Sequence, residues 1–191
     1  MAYLSQNEIN AMGFASVGRN VKISDKAAIY NPETIKIGDN SRIDDFCIIS
    51  GLVEIGRYCH ITPMCLVAGG IPGVYLSDFS TLAYGVKVFA QSDDYTGETM
   101  TNSLIPKKFK NEKFEPVYIC RHVIIGAGSV IFPGVVIAEG CAIGSMTLVN
   151  RSTEDWGIYT GIPAKRKSNR SKNLLNLEKI FFQSEDENDP I

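Results

Sequence analysis

The chain has 191 residues, 45% of them hydrophobic and 21% charged, and a formal charge of −2. That length fits one domain, the near-neutral balance gives no electrostatic case for a nucleic-acid partner, and no apolar run is long enough for stable membrane insertion. Residues 1–6 lack the basic and apolar regions of a secretory signal, so the cytoplasm is the expected compartment.

Ser5-Gln6-Asn7-Glu8 has the pattern of a capping box and predicts a short helix ending near Gly13. Ile9, Met12 and Phe14 are available to close the end of the next element, so residues 1–16 read as an N-terminal helical cap. A six-residue rhythm of aliphatic residues starts loosely at Val17, Ile23 and Ile29 and slips by two residues around Asn31-Pro32. It becomes clean at Ile37, Ile43, Ile49, Ile55, Ile61 and Val67, each followed four residues later by a small or branched residue: Ser41, Cys47, Val53, Cys59, Cys65 and Ile71. A second slip near Gly69-Gly70 precedes Leu76, Leu82 and Val88, with Ser80, Val86 and Ser92 in the companion positions.

The rhythm stops over residues 92–116, a polar stretch that carries Tyr95, Phe109 and Phe114. A long irregular segment between regular elements is usually functional, and the aromatics suggest docking on another surface such as a neighbouring subunit. The rhythm resumes at Ile119, Ile125, Ile131, Ile137, Ile143 and Val149, accompanied by Val123, Ser129, Val135, Cys141, Thr147 and Thr153. A period of six fits neither an amphipathic helix nor an alternating strand. It is the period of a parallel β-helix, in which each hexapeptide is a short strand and a turn and the rungs stack to share one core.

The predicted fold is therefore all-β, with a β-helix over residues 17–165 and residues 92–116 as its extended loop. Cys47, Cys59, Cys65 and Cys141 occupy inward positions and read as core thiols; their spacing forms no zinc motif. Gly161-Ile162-Pro163-Ala164-Lys165 is followed by a basic segment. Leu174, Leu175, Leu177, Ile180 and Phe181 then mark one face of a C-terminal helix, which with an acidic tail fills residues 166–191.

Ile125-Gly126-Ala127-Gly128-Ser129-Val130, Phe132-Pro133-Gly134-Val135 and Gly161-Ile162-Pro163-Ala164-Lys165 together resemble the hexapeptide-repeat acyltransferases. Within these they look most like the galactoside/maltose O-acetyltransferase-like branch, over residues 35–165. The resemblance implies a left-handed helix, a handedness the period alone does not give. It also implies a homotrimer with acetyl-CoA as co-substrate in clefts between subunits, and no metal. The implied activity is acetyl-CoA-dependent O-acetylation of a sugar in bacterial surface polysaccharide (lipopolysaccharide) biosynthesis, with a sugar or nucleotide-sugar acceptor. Two alternatives stand beside it: N-acetylation of a nucleotide-linked amino sugar, and a non-catalytic β-helix scaffold. Two histidines cannot build the three-histidine zinc site of another hexapeptide class.

The resemblance places a catalytic histidine after the rung at Val88, where this chain reads Gln91-Ser92-Asp93-Asp94-Tyr95. Asp93 lies nearest that position. His60, outward on its rung, is a candidate base or an exposed side chain without a role. Asp93 and Asp94 are candidates for the base, for orienting His60, for binding sugar hydroxyls, or for forming a turn. Thr62 falls near the family's acceptor contact, and Tyr95 is a further candidate for substrate binding. His122 reads as a solvated turn residue. A neutral amine is a better nucleophile than a hydroxyl, so the missing histidine matters less for N-acetylation. For the cofactor, the resemblance carries over to Ala127, Ser145, Asn150, Arg151 and Lys165. Open turns leave backbone groups for pantetheine amides, and Lys165 can pair with the nucleotide phosphates.

Overall fold

In the computed structural model, which describes residues 2–186, the hexapeptides wind into a left-handed parallel β-helix of about seven turns. The aliphatic rhythm becomes three columns. Val17, Ile37, Ile55, Leu76, Ile119 and Ile137 stand in parallel register on a first face. Ile23, Ile43, Ile61, Leu82, Ile125, Ile143 and Tyr159 do so on a second. Ile29, Ile49, Val67, Val88, Ile131 and Val149 form the third. The small companions point into the same core: Ser41, Cys47, Cys59, Cys65, Ser80, Ser129, Cys141 and Thr147 are all buried, and all five cysteines are free thiols.

The edges between faces turn through residues with positive φ. Asn20, Asn40, Tyr58, Phe79, His122, Gly140 and Trp156 stack on the edge between the first and second faces, each amide from Asn40 onward donating to the coil beneath. Phe46, Met64, Gly85, Gly128 and Met146 do the same between the second and third. The third edge takes every insertion. There the slip at Asn31-Pro32 becomes a 3-10 turn over Pro32–Thr34. The slip after Val67 resolves differently from expectation: Ile71 is 78% exposed, and Val74 fills the inward place, stacked on Val53. The long loop leaves from the same edge, its base closed by an antiparallel pairing of Gln91–Ser92 with Lys113–Phe114, so Ser92 lies in a hairpin rather than the core.

Both ends are closed. Helix α1, Gln6–Ala11, carries the predicted capping box of Ser5 and Glu8 and buries Ile9 under the first coil. At the other end the chain passes over all three faces. Ser152 and Thr153 accept from the amides of Val136 and Ala138. Gly161 and Ala164 bracket Leu148, and Lys165–Asn169 adds an antiparallel strand to Gly157–Thr160.

Helix α2, Leu174–Asp186, then folds back on the first edge. There Tyr58 and Phe79 stack at 4.9 Å and 3°, and Phe79 stacks on His122 at 5.2 Å and 16°. Phe181 and Phe182 meet Tyr58 and Phe79 edge-on. Glu178 accepts from Arg121 and from His122 Nε2, the latter at 3.1 Å. His122 is therefore a buried, clasped residue and not a solvated one, because α2 covers its turn. The apolar face of α2 is also displaced from expectation: Leu177 and Ile180 are exposed, while Glu178 faces the protein. The acidic tail over residues 187–191 lies outside the described residues.

Gly140 has φ +67, and a Cβ there would run into the indole of Trp156, whereas Gly85 has φ +68 and a Cβ there would meet nothing within 4 Å. Gly85→Ala should therefore lose only the left-handed backbone penalty of about 1–2 kcal/mol. Gly140→Ala should lose that and a further ~1–3 kcal/mol of overpacking. Equal shifts of the two variants in thermal unfolding would contradict the stacking account of this edge.

Candidate active site

Apart from His60, which lies in a strand of the second face, the residues singled out from the sequence fall on two edges. Thr62, Ala127 and Ser145 lie on the edge between the second and third faces, on the stacked turns where the Met64 amide donates to Asp45, Gly85 to Pro63, Gly128 to Tyr84 and Met146 to Ala127. Lys165 closes the end of the same helix, one residue after Ala164 bonds to Leu148. The amides of Tyr84, Ala127 and Ser145 donate to no other backbone group among the described residues, which leaves a row of N–H donors one coil apart. Thr62 is buried, and its hydroxyl has no hydrogen-bond partner among the described residues.

Asp93, Asp94 and Tyr95 stand at the mouth of the long loop, on the edge between the third and first faces, and exposed Asn150 and Arg151 follow the last rung of the third face. The two aspartates differ. The Asp94 carboxylate accepts from Thr96 N at 2.9 Å, from Thr96 Oγ1 at 2.8 Å and from Thr99 Oγ1 at 2.8 Å. These bonds, the backbone one first, hold its carboxyl below the usual carboxylate range. Asp94 thus ties down the first turn of the loop. Asp93, half-buried beside it, has a carboxylate with no hydrogen bond or ion pair among the described residues. Tyr95 is 89% exposed.

His60 does not meet either loop aspartate. Its Nε2 lies 2.9 Å from Asp44 Oδ2, and Arg42 Nε lies 2.5 Å from Asp44 Oδ1. Tyr3 Oη adds a longer contact at 3.4 Å. Burial pushes the Asp44 carboxyl up, but the hydrogen bonds from Arg42 and His60 outweigh it, so it sits below the usual range. Asp44, rather than Asp93 or Asp94, orients His60. The sequence held one signal for this. Asp44 occupies the place in its hexapeptide that Thr62, Ala83, Gly126 and Gly144 occupy in later coils, and a charge there calls for partners.

No side-chain group that could hold a metal ion occurs among the described residues. No described helix is long and apolar enough to cross a membrane.

No family model matches the chain. It is 42% identical over 187 residues to the dTDP-4-amino-4,6-dideoxy-D-glucose acyltransferase of Escherichia coli, covering 96% of this chain and 97% of that one. It is 28% identical over 133 residues to the galactoside O-acetyltransferase of Lactococcus lactis, covering 62% and 64%. Among solved structures, AntD, an N-acyltransferase from Bacillus cereus in complex with dTDP and 3-hydroxybutyryl-CoA, superposes with a TM-score of 0.95 at 46% identity over 96% of this chain and 98% of that one. The galactoside/maltose branch is thus the more distant relation, and the amino-sugar relatives favour N-acylation over the O-acetylation first expected. On identity and coverage together, the chain belongs to the hexapeptide-repeat acyltransferase family.

Proposed function

We propose that the protein transfers an acyl group from acyl-CoA to the amino group of a nucleotide-linked dideoxyamino sugar. The observation that carries this reading is Asp93. It is an uncommitted carboxylate where the O-acetylating branch has a histidine, and the 42%- and 46%-identical relatives are an amino-sugar acyltransferase and an N-acyltransferase. The sugar nitrogen attacks the thioester carbonyl, so that the C–N bond forms and the C–S bond breaks. Asp93 takes the proton released from nitrogen, which then passes to the departing sulfur. The turn amides of Tyr84 and Ala127 are the donors available for the developing oxyanion. Asn150, Arg151 and Lys165 are assigned to the CoA end, and Thr62 and Tyr95 to the acceptor.

Because these groups occupy two different edges of one chain, the reading requires a second copy to bring one subunit's loop against its neighbour's turns. A closed homotrimer does this with three equivalent clefts. Light scattering should give the mass of three chains; the mass of one chain would refute the shared cleft.

Asp93→Asn should lower turnover by roughly 10²–10⁴-fold with the acyl-CoA KM unchanged. Asp94→Asn retains an acceptor for Thr96 and should have a smaller effect. The reverse ranking in steady-state kinetics would make Asp94 the base. Lys165→Ala should weaken acyl-CoA binding by about tenfold or more, the scale of one lost charge-assisted bond. It should weaken dephospho-CoA binding less if Lys165 meets the 3′-phosphate, and equal losses measured by calorimetry would rule out that contact.

A further inference from the structure

One insertion on the edge between the third and first faces lies directly beneath the proposed base. The rung at Val67 runs on into Ala68, which stands in register with Phe89, and the amide of Ala90 donates to Ala68 O at 3.0 Å. The chain that leads to Asp93 therefore passes over the start of the excursion at residues 69–73, about 4.8 Å away along the axis. The Gln91 side chain rests on Gly70, where a Cβ would come within 2.6 Å of Oε1. On the coil beneath, Leu52 alone separates Gly51 from Val53, whereas Ile71, Pro72 and Gly73 fill the span from Gly70 to Val74. The excess is pushed outward, and Ile71 keeps 78% of its surface exposed.

A single exposed aliphatic residue is ordinary. This one is distinguished by how it is held and by where it stands. Pro72 fixes its own φ, its carbonyl accepts from Tyr75 Oη at 3.3 Å, and Gly70 is packed between Gly51 below and Gln91 above. The axial order along the edge then decides what meets Ile71. Asn150 and Arg151, assigned to CoA, follow Val149, two rungs beyond Val88 toward the C-terminal end. Ile71 lies one coil beyond Asp93 in the opposite direction. With the donor's thioester at Asp93 and its nucleotide on the C-terminal side, the acceptor's ring extends toward Ile71. On a 4-amino-4,6-dideoxy sugar the amine and the methyl group stand on adjacent ring carbons. A carboxylate that meets the amine has the methyl beside it, and an aliphatic side chain can cover that methyl without stranding a polar group. A hydroxymethyl group in the same place would have to give up water with no partner in return.

We propose that Ile71 is a specificity-determining residue, whose side chain packs against the methyl of a 6-deoxy acceptor and so discriminates against the 6-hydroxy sugar. The inference rests on the acceptor class proposed above and narrows it.

Steady-state kinetics with acetyl-CoA compare nucleotide-linked 4-amino-4,6-dideoxyglucose with its 6-hydroxy counterpart, in the wild type, Ile71→Thr and Ile71→Val. The wild type should favour the 6-deoxy acceptor in kcat/KM by roughly 10–100-fold, the scale on which an apolar site rejects an added hydroxyl. Ile71→Thr keeps the branched shape and should reduce that ratio about tenfold with the acetyl-CoA KM unchanged, whereas Ile71→Val should retain it. Both variants should keep the wild-type unfolding temperature and oligomeric mass. A wild-type ratio in Ile71→Thr, or a wild type that does not discriminate, would overturn the assignment while leaving the acceptor class intact. A smaller oligomeric mass in Ile71→Thr would make Ile71 a subunit contact and likewise overturn it. A wild type that acylates neither sugar would overturn the acceptor class and the assignment with it.

Discussion

Each inward side chain of this β-helix is covered chiefly by the residue one coil above and the residue one coil below. Ile125 meets Leu82 and Ile143, and Ile131 meets Val88 and Val149. A rung that lost its register would expose its own aliphatic residue and uncover two others. This interlocking fixes where the chain can accept extra residues. They must leave and return within one turn, without moving the rungs on either side. The Pro32–Thr34 turn, the excursion around Ile71 and the long loop all do so on one edge. The other two edges stay regular and hold the stacked left-handed turns.

That regularity explains how much could be read from the residues. The six-residue recurrence determines which aliphatic residues point inward, because only a stack of short rungs gives those residues a common core. Where the count slips, recurrence alone cannot choose between two branched residues, and Val74 rather than Ile71 turns inward. His122 and the exposed face of α2 depart from expectation for one shared reason. Both depend on the return of a segment distant in sequence, and the surface it meets offers Arg121 and His122, which Glu178 satisfies better than a leucine would.

The site is legible in the same uneven way. The family-like turns around Ala127 and Ser145 belong to the repeat, and their free amides follow from its geometry. The distinction between the neighbouring aspartates required coordinates, although Asp94 followed two residues later by Thr96 is a familiar local hydrogen-bonding pattern. The Asp44 cluster rests on contacts between coils, since Arg42 and Asp44 come from one rung and His60 from the next. Charge placed at a position that elsewhere is small was the trace it left in the sequence.

A solenoid that grows by adding parallel rungs is, at a bare end, a template for another copy of itself. Here the final pass of chain caps the first and third faces with Ser152, Thr153, Gly161 and Ala164, and lays a strand of opposite direction across the second. That strand reads Lys-Arg-Lys-Ser-Asn with every residue exposed. A second molecule approaching end-on meets reversed polarity and a charged strand instead of an open ladder. The same few residues that close the fold therefore keep it from lengthening into a fibre.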